Sequence, residues 1–158
     1  MIKDFFQTKV ITPIVNLLKQ GITPEKVSLC IALGVMLGVF PVIGSTMILC
    51  TIASLSLKLN LPLIQIISYL VYPLQFVFLI PFVRFGEWVL GVPPFPISIE
   101  ALVDMIKTDI IQTILIFWDA TMHGIFGWVI IACIMIPTIY FIFLPILKRI
   151  PIKGLKKE

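Results

Sequence analysis

VSLCIALGVMLGVFPVIGSTMILCTIASLSL, residues 27–57, runs for thirty-one positions without a charge. A helix that crosses a bilayer needs about twenty apolar residues. Thirty-one is too many for one such helix and too few for two. The run is interrupted at its centre by Gly38-Val39-Phe40-Pro41-Val42-Ile43-Gly44, where glycine and proline both oppose helix. The pattern predicts a helical hairpin of two short arms, Pro24 to about Val39 and about Ser45 to Lys58. At ~1.5 Å per residue each arm is roughly 20–24 Å long, short of a ~30 Å hydrocarbon core. The arms either re-enter or cross a thinned bilayer; both return the chain to one side. Non-helical backbone at membrane depth is tolerated only beside protein or a water-filled cavity. A polar-lined pocket or path is therefore expected at the turn.

Outward from this segment the chain keeps the same character. It is 59% apolar and 13% charged, with a mean hydropathy of +1.13. A soluble domain is nearer 45–50% apolar and about 25% charged. The composition implies one integral membrane domain. The +4 net charge carries no nucleic-acid signature, because the cations gather at the two ends. Lys3, Lys9, Lys19 and Lys26 flank the start, and Lys148, Arg149, Lys153, Lys156 and Lys157 the finish. Both ends are expected on the cytoplasmic side. The first residues do not read as a signal peptide, since Lys3, Asp4, Lys9 and Lys19 interrupt them.

Residues 1–21 predict an amphipathic helix lying in the membrane surface, with Phe6, Val10, Ile14, Leu17 and Leu18 on one face. Thr23-Pro24-Glu25 is a helix start. Gly34 and Gly38, four apart, leave room for another helix. Asn60-Leu61-Pro62 opens a span over 61–90 carrying Pro73 and Pro81. A stiff external loop follows from Gly91 to Pro96. Residues 98–114 predict a second interfacial helix, and 124–147 a final span with Pro137 and Pro145. Trp118 and Trp128 are read as marking its interface. The fold expected is all-α: a polytopic membrane protein with a broken hairpin, two further spans and amphipathic interfacial helices.

Little of this points to an enzyme. There is one histidine, His123, four residues after Asp119, and no partner nucleophile, phosphate loop or metal-ligand cluster. Cys30, Cys50 and Cys133 sit in apolar segments as inert thiols. No cofactor is implied. Two places could hold a ligand. Arg84 and Glu87 are ionisable groups near the end of an apolar span, where such groups are costly and usually functional. Arginine's rigid fork suits phosphate or carboxylate. The second place is the hairpin turn, Gly38, Pro41, Gly44, Ser45 and Thr46. Unsatisfied amides at the start of the second arm attract anions there, with Gly44 or Ser45 as cap.

Thr23-Pro24-Glu25-Lys26, then Ala32-Leu33-Gly34-Val35, Gly38, Pro41 and Leu59-Asn60-Leu61-Pro62, follow in an order that resembles the bacterial membrane family called domain of unknown function 2062. The resemblance covers about residues 23–91 and closes on Phe85-Gly86-Glu87-Trp88-Val89-Leu90-Gly91. That family typically has Asn before the proline matching Pro73; here it is Tyr72. The resemblance implies a multi-pass protein of the bacterial inner membrane. Some members are joined to, or encoded beside, glycosyltransferases of cell-envelope synthesis. It transfers no activity and no catalytic residue. The expected function is binding or transport of a lipid-like anion, such as a polyprenyl phosphate or phospholipid. The alternative is a non-catalytic scaffold for a glycosyltransferase. Expected partners are membrane lipids; a path too narrow for one chain to enclose would need a homo-oligomer.

Overall fold

A computed structural model of the protein describes residues 12–19, 22–95 and 109–149. The described residues form five helices and no strand: α1 (Thr12–Lys19), α2 (Pro24–Gly38), α3 (Thr46–Leu57), α4 (Leu61–Leu90) and α5 (Ile110–Lys148). Helix starts follow local chemistry. The Thr23 hydroxyl accepts from the Lys26 amide at 3.4 Å, with Pro24 in the first turn. The Asn60 side chain accepts from the Leu63 amide at 2.9 Å. Lys58 closes α3 in the left-handed region at φ 52, and Gly91 closes α4 at φ 67, where glycine carries no Cβ penalty.

Helices α2, α4 and α5 pack pairwise into a three-helix core, with α3 laid against α4 and α2. Glycine sets how closely they approach. A Cβ on Gly34 would lie 2.8 Å from Ile67 Cβ, and one on Gly38 2.8 Å from the Ser68 carbonyl, so both glycines let α2 settle on α4. Gly86 and Gly127 do the same where α4 crosses α5: a Cβ on Gly86 would collide with the His123 carbonyl, and one on Gly127 with that of Phe82. Leu63, Ile64, Val27, Cys30 and Cys50 lie at the centre, at most 1% exposed.

Two differences from the sequence expectation stand out. The helix expected to start near Gly124 starts at Ile110, capped by the Asp109 side chain, which accepts from the Ile111 and Gln112 amides at 2.9 and 3.1 Å. Residues 110–114, assigned above to an interfacial helix, are its first turn, because nothing between Ile110 and Gly124 breaks a helix. The rest of that segment, 98–108, lies outside the described residues, as do residues 1–11 of the first amphipathic segment. Trp128 is likewise no interface marker: it is half-buried, and its indole N–H donates to the Met36 carbonyl at 2.9 Å.

Helices α4 and α5 are each long and apolar enough to cross a membrane. Only 22% and 11% of their most apolar windows are buried, whereas the core helix of a soluble protein would be mostly covered. Their outer faces carry Phe76, Val77, Ile134 and Phe141, all more than half exposed.

Candidate functional site

The helix breaks after Gly38 and resumes at Thr46. Helix α2 ends with carbonyls that have no partner within it, and two other helices supply donors. The Trp128 indole of α5 serves Met36, and its ring meets Phe40 edge-on at 4.8 Å. The Gln75 side-chain amide of α4 donates to the Phe40 carbonyl. Pro41 is buried against Gly124 and lines a cleft of about 250 Å³ with Leu79, Val83 and Phe117. Along α4, Gln75 stands about 21 Å from Leu61 and about 13 Å from Arg84, taking ~1.5 Å per residue. The turn thus lies within the uncharged stretch between Lys58 and Arg84.

The start of α3 is uncapped. Ser45 occupies the capping position with helical φ −82 and ψ −15, and its side chain makes no cap. A capping serine needs extended backbone; here the hydroxyl turns back and donates to the Val42 carbonyl at 2.8 Å. Gly44, at φ 87, makes the turn and faces open space. Neither residue caps α3, contrary to the sequence reading. Thr46 is 3% exposed, yet its hydroxyl has no partner, and neither does the side-chain oxygen of the fully buried Gln75.

These two atoms belong to a polar seam. On α4 it comprises Gln65, Ser68 and Gln75; on α3, Thr46, Cys50 and Ser54. The Cys50 thiol donates to the Ser68 hydroxyl at 3.6 Å, joining the two helices, and the Gln65 side-chain nitrogen is a third buried polar atom without a partner. The sequence reading missed the seam. Its signal was steps of three and seven residues on α4 and of four on α3, which put polar groups on one face of otherwise apolar helices.

Arg84 and Glu87 do meet, at 3.0 Å through Arg84 Nη1 and Glu87 Oε2. The Glu87 side chain is 4% exposed and that of Arg84 39%. The other carboxylate oxygen accepts from the Phe95 amide at 2.7 Å, pinning the 91–95 loop back on the helix. Glu87 is therefore occupied as a latch, while Arg84 keeps donors free, since a guanidinium carries five. Glu87, Asp119 and His123 line a second cleft of about 220 Å³, which shares Phe95 and Ala120 with the cleft beside Pro41. Asp119 and His123 share no hydrogen bond, and among the described residues no cluster of His, Cys, Asp and Glu could hold a metal.

The opposite end is basic. Lys26, Lys58, Lys148 and Arg149 lie there with Glu25, whose carboxylate pairs with Lys148 at 2.9 Å. The hydrogen bond from Lys148 holds the Glu25 carboxyl below the usual carboxylate range. The end beyond the turn carries Arg84 with Glu87, Asp109 and Asp119.

A family model described as an uncharacterized protein conserved in bacteria (DUF2062) matches residues 12–154. The match extends past the motifs of residues 23–91 to take in α1 and α5, and with them every residue of the site. No curated protein and no solved structure matches the chain.

Proposed function

The chain belongs to the bacterial DUF2062 family, and on that premise we propose that it is a multi-pass inner-membrane protein that binds or moves a lipid-like anion in cell-envelope biogenesis. The basic end faces the cytoplasm, in keeping with the excess of lysine and arginine on that side. The hairpin enters from there and turns back inside the outer half of the bilayer.

One observation carries the reading. Within the uncharged belt, an uncapped helix start carries the buried Thr46 hydroxyl, which has no partner and can donate to an anion, while the unpartnered Gln75 side-chain oxygen, an acceptor only, is left to water. Such atoms cost several kcal/mol each in hydrocarbon unless a guest or water meets them. A helix N-terminus attracts phosphate, and Arg84 supplies a cation just beyond the turn. The ligand class is a polyprenyl phosphate or a phospholipid.

The test is retention of polyprenyl phosphate after reconstitution into liposomes and gentle extraction, read by mass spectrometry. Thr46→Val should cut retention about tenfold, the scale of one charge-assisted hydrogen bond, and Arg84→Ala should also lower it, while protein levels hold. Retention unchanged in all of these variants would remove the turn as the site. A glycosyltransferase recovered in stoichiometric amount, without lipid, would favour the scaffold role instead.

A further inference from the structure

A groove lies at the basic end, remote from the turn. Helices α3 and α5 both flank α2 but share no packed interface. The slit left between them opens at the bottom into a groove of about 400 Å³, a size typical of ligand pockets. Leu29 forms its floor, Leu57 and Leu59 one wall, and Ile136, Pro137 and Tyr140 the other. The lining is almost wholly apolar, and the rim is not. Lys26 lines the groove, and Lys58 lies in sequence between Leu57 and Leu59, which line it too. Both lysines are exposed, and neither has an anionic partner among the described residues. Glu25, the one acid on this rim, is neutralised by Lys148 at 2.9 Å.

We infer that this groove seats one anionic phospholipid, with an acyl tail between α3 and α5 and its phosphate between Lys26 and Lys58. The charges decide the occupant. A neutral lipid would gain the apolar walls but leave two unpaired ammonium groups; a soluble anion would gain the lysines but leave the walls bare. The inference rests on the membrane reading above, which carbonate extraction tests separately, since a peripheral chain would be released. It involves none of the residues at the turn, so the two sites fail independently.

The experiment is native mass spectrometry of the full chain, extracted from phosphatidylcholine vesicles with or without phosphatidylglycerol. A lysine near an anionic surface is worth roughly fivefold in affinity. Lys26→Gln with Lys58→Gln should lower phosphatidylglycerol occupancy about twentyfold and leave phosphatidylcholine unchanged. Leu29→Trp, which fills the floor, and Leu57→Ser, at an exposed position outside the core, should each lower occupancy by either lipid. Arg149→Gln, at the same end but outside the groove, should change neither. Equal losses from Arg149→Gln and from the lysine pair would overturn the site in favour of diffuse surface attraction. Full occupancy in both Leu29→Trp and Leu57→Ser would overturn the tail's place in the groove.

Discussion

Glu87 does two jobs with one carboxylate. It holds the Arg84 guanidinium and, through its other oxygen, the Phe95 amide. Hydrogen bonds to a charged group contribute about 1.5–3 kcal/mol when buried; the exposed half of Arg84 puts that contact at the low end. Glu87→Ala should therefore free the 91–95 loop. Hydrogen exchange at the Phe95 amide should quicken at least tenfold, with Glu87→Gln between, because its amide oxygen still accepts from Phe95. Exchange at the parental rate in Glu87→Ala would refute the latch. Half of this arrangement was readable in advance: Arg84 and Glu87 stand three apart on a helix. The amide eight residues on was not, because a loop's path back over a helix leaves no periodic trace. Gln75 is the opposite case. Its place on a polar face of α4 was written in the spacing, and a search for charges alone passed over it.

Several helix boundaries were legible from a cap or a breaker. Thr23, Asn60 and Gly91 each act where the sequence places them. The start of α5 was not, because Gly124 resembles a boundary while acting as a contact. It sits against Val83 and Pro41, where α5 passes close to α4 and the turn. Gly86 is the stricter position, since backbone rather than a movable side chain occupies the space a Cβ would need. Gly86→Val should separate α4 from α5 and destabilise the fold by about 1–3 kcal/mol or more, the range for overpacking. Thermal unfolding in detergent should show a clearly lower Tm, whereas Gly91→Asn, which tolerates the left-handed region, should cost far less. Equal Tm values for the two would mean that the crossing yields without strain.

Across the described residues the charges of the packed helices lie in two layers, basic beside Lys26, Lys58 and Lys148 and mixed to acidic around Arg84, Glu87 and Asp119, with an uncharged belt between. The turn falls inside that belt. Ile43, at its tip, is 58% exposed and so reports directly on its surroundings. In a background with the native cysteines replaced, Ile43→Cys should resist a membrane-impermeant maleimide added to intact cells, while Val92→Cys, which faces outward in the orientation proposed above, labels. Rapid labelling at position 43 would place the turn in outside water and make the hairpin a pair of full spans. Composition and the gathering of cations at the two chain ends were evident from the sequence; the depth of the turn was not, since it depends on which residues of α4 and α5 it meets. Those meetings also set a timetable. The groups that satisfy the Phe40 and Met36 carbonyls, Gln75 and Trp128, leave the ribosome after the hairpin itself. The hairpin therefore cannot complete these contacts during its own synthesis; its turn is seated only once the two later helices have been made to receive it.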